Sequence, residues 1–99
     1  DNRYRYSLPH AAGHENKRIS EKYKSIIRET VIHVDCAMNI VVVNTYPGMA
    51  NAAAAAIDGI GNDAMVGSLA GDDTVFVVMR TPEQAREFTD NFHDTLSTH

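Results

Sequence analysis

The segment Gly71-Asp72-Asp73-Thr74 constrains the fold more than any other part of this sequence, because it separates two apolar runs. The runs, 65–70 and 75–79, are rich in residues that favour β-strands. A glycine followed by two acids between such runs predicts a tight turn, and therefore an antiparallel hairpin. The turn presents two adjacent carboxylates, which can hold a cation, relay protons or only hydrate the turn.

Helical spacing of apolar residues predicts three helices. The first covers 17–29. The second covers 47–60, with a proline in its first turn and with Gly59 and Gly61 marking its end. The third begins at Thr81-Pro82, where a capping residue, a proline and a first-turn acid follow one another.

Strands are predicted over 30–36 and 40–45, in addition to the two strands of the hairpin. The order along the chain is therefore helix, β, β, α, β, β, α. Two hairpins that are each followed by a helix predict an α+β, two-layer fold. We expect a four-stranded, mainly antiparallel sheet with two helices on one face, preceded by a linker helix.

The strand over 40–45 is apolar at nearly every position, so we expect it to be covered on both faces. Two helices supply cover for only one face, and the alanine run 52–56 would let another backbone approach closely. Both features predict an interface with another chain. The predicted core positions on the helices are Met49, Ala53, Ala56, Ile57, Ile60, Ala85, Phe88, Phe92 and Leu96. In the first strand, Ile32, Val34 and Cys36 are predicted on one face, opposite Val31, His33 and Asp35.

Length and composition limit the class of protein. A chain of 99 residues, with 43% hydrophobic and 22% charged residues, is one ordinary globular domain. Its net charge of −4 argues against binding duplex nucleic acid by itself. A single cysteine, Cys36, favours a reducing compartment, and the sequence contains no signal peptide or apolar stretch of membrane-spanning length. We expect a cytoplasmic protein.

The first residues do not resemble the start of a natural protein. The chain opens without methionine, and 1–8 alternate basic and aromatic residues as a strand does. The composition of 9–16 is typical of a linker. We therefore expect a piece of a longer protein, with the end of a preceding module and a linker in 1–16 and the domain proper in 17–99.

Two groups of polar residues are candidates for a binding site. Asp72 and Asp73 suit a planar guanidinium, because two carboxylates can accept several of its hydrogen bonds. Asn51 and Asp58 lie seven residues apart and so project from one helix face. The alternatives are a hydrated turn and a solvated helix face. The five histidines show no metal-ligand spacing and Cys36 has no base beside it, so we predict no metal and no cofactor.

Three segments of the sequence resemble the C-terminal domain of bacterial arginine repressors. Thr45-Tyr46-Pro47-Gly48-Met49-Ala50 is similar to the family's Thr-x-Pro-Gly-x-Ala pattern, and Ile57-Asp58 to its helix ending in Leu/Ile-Asp. Residues 67–74 are similar to its Gly-Thr-Ile-Ala/Cys-Gly-Asp-Asp-Thr hairpin, with Ser68 replacing the usual threonine. The resemblance extends over about residues 17–97, and 5–8 resemble the end of the family's winged-helix wing.

The resemblance implies a transcriptional repressor that regulates arginine metabolism genes and reads operator DNA through an N-terminal winged-helix domain. It implies that the present domain forms trimers that pair into hexamers, with L-arginine bound between trimers. The residues matched to the arginine site are Asp72 and Asp73 for the guanidinium, Asp58 for the amino acid end, and Asn51, Ser68 and Ala70 nearby.

Two other classes of function are weighed against this interpretation. An enzyme, or an enzyme subunit, that metabolises a small molecule would use a similar two-layer scaffold, but the sequence contains no pairing of a nucleophile with a base. An RNA-binding sheet would need exposed aromatic and basic residues on its strands. Phe76 is the one strand aromatic and the net charge is negative, so the RNA-binding interpretation is rejected.

Overall fold

The computed structural model describes residues 13–97, with side chains from Ser20 onward. The expected wing and most of the expected linker, residues 1–12, lie outside the described residues. The elements are α1 Gly13–Thr30, β1 Val31–Ala37, β2 Ile40–Thr45, α2 Ala50–Ile60, β3 Met65–Ala70, β4 Thr74–Met79 and α3 Pro82–Ser97. None of the helices among these residues is long and apolar enough to cross a membrane.

The four strands form one antiparallel sheet in the order β1-β2-β4-β3. Each hairpin contributes one central strand, β2 or β4, and these two pair with each other along their length, with Val42 opposite Phe76. The most apolar strands thus occupy the centre, where neighbours on both sides satisfy their main chain. The predicted α+β fold is confirmed.

The core lies on one face of this sheet. Alternate residues of the central strands, Val41, Val43, Val75 and Val77, are completely buried there, as the period of two in a strand requires. Helix α2 packs on β3 and β4, α3 packs on β1 and β2, and α1 packs mainly on α2. Small side chains of α2 allow it to lie close to the sheet, and Ala50, Ala53 and Ala56 are all buried.

The opposite face of the sheet is open in the single chain. Leu69, Phe76 and Val42 are neighbours in one cross-strand row, and Leu69 is 73% exposed and Phe76 47% exposed. No element among the described residues covers this face. The expectation that β2 is covered on both faces therefore holds for one face of the single chain, and the other face presents apolar surface to solvent.

The predicted faces of β1 hold for Val34 and Cys36 opposite His33 and Asp35. They are wrong for Val31 and Ile32, because the strand contains a β-bulge there. Val31 pairs with Thr45 and His33 pairs with Asn44, so one extra residue, Ile32, is accommodated on β1. The bulge turns Val31 into the core on the same side as Val34 and leaves Ile32 55% exposed.

Two helix starts also differ from the prediction. Helix α1 begins at Gly13 rather than at residue 17, so residues 13–16 are helical. Helix α2 begins at Ala50 rather than at residue 47, because Gly48 has a φ of 78° and cannot continue a right-handed helix. Gly59 lies inside α2, and Gly61 alone ends it, with a φ of 77°.

The start of α3 is confirmed in detail. The Thr81 hydroxyl accepts a hydrogen bond from the Gln84 main-chain N–H at 3.1 Å and donates to Gln84 Oε1 at 3.1 Å. These bonds satisfy donors that a helix start leaves without partners. The predicted core residues of the helices are confirmed in part: Ala53, Ala56, Ile57, Ala85 and Phe92 are buried, Phe88 and Leu96 are half-buried, and Met49 and Ile60 are exposed.

Candidate functional site

The hairpin turn between β3 and β4 is fixed by its main chain. The Asp72 carbonyl accepts hydrogen bonds from the N–H groups of Gly48 at 3.1 Å and Ala50 at 3.2 Å, and the Asp73 carbonyl accepts from Thr45 N–H at 2.8 Å. The start of α2 and the end of β2 therefore hold the turn from one side. The two acidic side chains project from a backbone that has little freedom to move.

The carboxylates of the two acids make fewer hydrogen bonds than their main-chain carbonyls do. The Thr74 hydroxyl donates to Asp73 Oδ1 at 3.1 Å, and Asn44 Nδ2 donates to the Thr74 hydroxyl oxygen at 3.3 Å. Within residues 20–97, the Asp72 carboxylate has no hydrogen bond and neither acid has a cationic partner. Both acids are exposed. The turn therefore presents negative charge that no side chain within residues 20–97 neutralises.

Asp58 lies in the last turn of α2. Its Oδ1 accepts a hydrogen bond from the Ser68 hydroxyl of β3 at 3.1 Å. The carboxyl end of a helix carries partial negative charge, which disfavours a carboxylate there, and α2 has no basic residue in its last turn. A cation from outside the chain would relieve this unfavourable arrangement.

The predicted site residues lie in two groups at the two ends of α2. Asn51 is exposed in the first turn, next to the residue that binds the Asp72 carbonyl. Asp58 is exposed in the last turn, eight residues beyond Ala50, which corresponds to about 12 Å along the helix axis. The predicted shared face of Asn51 and Asp58 fits these positions, but one chain does not bring all the acids together.

Strand β3 connects the two groups. Ser68 pairs with Val77 and Ala70 pairs with Val75, so both residues lie on the helix-covered side of the sheet. Ser68 contacts Asp58, whereas Ala70 directly precedes the turn. The predicted residues thus follow one strip along α2 and β3, with acids at each end.

Sequence reasoning assigned no role to the residues that hold the Asp73 carboxylate. Thr74 and Asn44 form a short relay of hydrogen bonds to it. The signal for Thr74 was present, because it follows the second acid directly and its hydroxyl can reach back to it. No comparable signal pointed to Asn44, because only the pairing of β2 with β4 places it opposite Thr74.

Other features of the described surface lie away from the predicted site residues. A polar depression of about 250 Å³ lies between the loop after α2 and helix α3, and no predicted site residue lines it. Within the described part of the chain, no three His, Cys, Asp or Glu side chains lie together so as to hold a metal ion. Cys36 is a free thiol, half-buried against the core.

Comparison with known proteins gives the class of this domain and then its family. Residues 27–94 match the family model described as "Arginine repressor, C-terminal domain". This family is one of transcriptional regulators and not of enzymes, so the alternative of an enzyme is not supported. The chain belongs to the arginine repressor family, and the resemblance seen in the sequence is confirmed.

Individual relatives agree with this assignment. The chain is 42% identical over 87 residues to the arginine repressor of Symbiobacterium thermophilum, covering 88% of this chain and 56% of the relative. It is 40% identical over 90 residues to that of Acetivibrio thermocellus, covering 91% and 57%. It is 48% identical over 67 residues to that of Clostridium acetobutylicum, covering 68% and 45%. The chain thus spans about half the length of the curated relatives that it matches.

Proposed function

We propose that this domain binds L-arginine and assembles into trimers that pair into hexamers, as the effector-binding part of an arginine-dependent repressor. In the complete regulator, operator DNA is read by an N-terminal domain whose wing and linker end within residues 1–16, and the protein acts in the cytoplasm. The observation that carries the proposal is the acid pair Asp72 and Asp73, which its main chain holds rigidly while no described side chain pairs a cation with its carboxylates.

The guanidinium group of arginine matches the chemistry of this turn. It is planar, permanently charged and carries five N–H donors, so two adjacent carboxylates can accept from it in a fixed orientation. A rigid turn supports this binding, because less conformational entropy is lost when the ligand arrives. The bond from Thr74 leaves other acceptor positions on the Asp73 carboxylate free.

Asp58 suits the ammonium group of the same amino acid. The Ser68 hydroxyl orients its carboxylate, and the end of α2 has no basic residue to neutralise it. Asn51, in the exposed first turn of α2, offers an amide that can donate to the ligand's carboxylate. Ala70, beside the turn, has a side chain small enough for a ligand to approach the main chain.

The distance between the two acidic groups favours a ligand held between chains. Asp58 and the turn lie at opposite ends of α2, about 12 Å apart along its axis. For an arginine bound at one end of α2, the second acidic side chain that contacts it therefore comes most directly from another chain. This supports a site at the trimer–trimer interface.

The open face of the sheet supports self-association. Leu69 and Phe76 form an exposed apolar row with Val42, and Val66 and Ile32 are exposed on the two edge strands. Apolar surface of this kind is expected to be covered in an oligomer. If further copies of the chain packed against this face, they would cover the second face of β2, as the sequence predicts.

Calorimetric titration with L-arginine and L-citrulline tests the ligand. Citrulline has the same length but carries an uncharged ureido group in place of the guanidinium. We expect arginine to bind and citrulline to bind at least tenfold more weakly, because charge-assisted hydrogen bonds contribute about 1.5–3 kcal/mol each. Equal binding of the two ligands would show that the acid pair serves only as a turn.

A further inference from the structure

The ring of Tyr23 in α1 lies directly against Gly59 in the last turn of α2. A Cβ atom added to Gly59 would overlap Cζ of the ring and lie 2.5 and 2.7 Å from Cε2 and Cε1, closer than real Cβ atoms approach other atoms. The phenol end of the ring therefore occupies the space that any side chain at residue 59 would need.

This close approach explains why residue 59 is a glycine. Gly59 lies inside α2 and its φ is not positive, so its backbone conformation does not require glycine. A glycine inside a helix is less favourable than alanine, because it loses more conformational freedom on folding. The neighbouring residues 52–56 are all alanine, which makes the glycine an exception that the Tyr23 ring accounts for.

The contact adjoins a residue of the arginine site. Gly59 directly follows Asp58, so a force on the backbone of residue 59 acts on the orientation of the Asp58 side chain. The Ser68 hydroxyl holds the same carboxylate from β3 at 3.1 Å. The last turn of α2 is thus held by β3 through Asp58 and by α1 through Gly59.

We propose that Tyr23 is a positioning residue for arginine binding: its ring, seated on Gly59, sets the position of the last turn of α2 and thereby of the Asp58 carboxylate. This inference rests on the proposed function, in which Asp58 binds the ligand's ammonium group. Tyr23 itself does not contact the ligand. Its effect on affinity passes through Asp58.

The test is a set of calorimetric arginine titrations on residues 1–99. Gly59→Ala forces the ring and the helix end apart and is expected to weaken arginine binding about tenfold, as the loss of one charge-assisted contact would. Tyr23→Leu removes most of the contact without creating a clash. It is the variant to test if Gly59→Ala does not fold. It is expected to weaken binding by a smaller factor. Tyr23→Phe keeps the ring and is the matched control, expected to bind as the wild type does.

The same substitutions in an Asp58→Asn background separate positioning from general loss of structure. If the ring acts through Asp58, Gly59→Ala and Tyr23→Leu cause no further loss of affinity in that background, since the group they position has already lost its charge. Equal losses in both backgrounds, or an unchanged affinity of Gly59→Ala, would overturn the proposal while arginine binding by the wild type still stands. A wild-type domain that binds no arginine would overturn the proposed function as well.

Discussion

At the scale of single residues, the two adjacent acids of the turn have different surroundings. Asp73 accepts a hydrogen bond from Thr74, and Thr74 is in turn held by Asn44. Within the described residues, the Asp72 carboxylate has no such partner, although its carbonyl binds two N–H groups. Asp73 is therefore held in place before a ligand arrives, whereas Asp72 can adjust to it.

Replacing either acid by its amide tests both roles. Asp72→Asn and Asp73→Asn retain the shape of the side chain but remove its charge. We expect each to weaken arginine binding about tenfold to a hundredfold, because a charge-assisted bond worth about 1.5–3 kcal/mol is lost. Calorimetric titration measures the change.

A control for these two variants is Asp63→Asn. Asp63 is an exposed acid outside the proposed site, so the variant changes the net charge equally. Its arginine affinity should equal that of the wild type. Full affinity in Asp73→Asn would show that its carboxylate does not hold the ligand. A comparable loss in Asp63→Asn would show that binding depends on total charge and not on the turn.

At the scale of elements, the position of the site depends on how the helices are fixed at their ends. Helix α2 starts where Gly48 and Ala50 donate to the Asp72 carbonyl, so its first turn and the acidic turn move as one unit. Helix α3 starts at a side-chain cap, Thr81 with Gln84. Both starts satisfy N–H groups that the helix cannot satisfy internally.

Removing the cap of α3 should destabilise the domain without affecting the site. Thr81→Ala is expected to lower the free energy of unfolding by about 0.5–2 kcal/mol, because the Gln84 N–H loses its partner. Urea unfolding at a fixed protein concentration measures the change, since assembly makes stability depend on concentration.

The comparison for Thr81→Ala is Ser97→Ala at the other end of the same helix. The exposed Ser97 hydroxyl donates to the His93 carbonyl and caps no N–H group. Its removal should change the free energy of unfolding by less than about 0.5 kcal/mol. Equal losses in the two variants would mean that the cap contributes nothing specific.

At the scale of the whole molecule, one face of the sheet forms the core and the other is exposed in the single chain. The helices and the buried residues of β2 and β4 lie on the first face. The second presents the exposed row of Leu69 and Phe76. The acids lie at the two ends of α2, so the proposed ligand site and the open face are distinct surfaces.

A charge placed on the open face should prevent assembly without unfolding the chain. Leu69 is 73% exposed in the single chain, so Leu69→Asp removes little from its core. In an oligomer that covers this face, the new carboxylate would be buried without a partner, which is strongly unfavourable. We expect sedimentation velocity at micromolar concentration to show smaller species than the wild type.

The control for Leu69→Asp is Asn91→Asp, which adds the same charge on the exposed side of α3. This variant should sediment as the wild type does. If Leu69→Asp also sediments as the wild type does, the open face is not the surface through which the chains associate.

The charge of the whole domain predicts that it does not bind operator DNA alone. A net charge of −4 opposes attraction to the phosphates of duplex DNA. Gel shifts with residues 1–99 at physiological salt should show no sequence-specific complex, with or without arginine. A complete repressor of the family serves as the positive control, and a tight specific complex with residues 1–99 would contradict the prediction.

Much of this domain was predictable because its local chemistry depends on neighbouring residues. The Gly71-Asp72-Asp73 turn, the bounds of β2 and the cap of α3 follow from residues a few positions apart, and each was found as expected. The acid pair was recognisable for the same reason. The family followed from the motifs that carry these acids.

The remainder was decided by contacts between residues far apart in the sequence. The bulge at Ile32 arises from pairing with β2, and the start of α2 is fixed to the distant turn by the N–H groups that Gly48 and Ala50 donate to the carbonyl of Asp72. Gly59, which the sequence presented as a helix end, instead lies under the ring of Tyr23. Propensity and spacing carry no information about such partners, because hydrogen bonds and close packing across the fold form only when the elements come together.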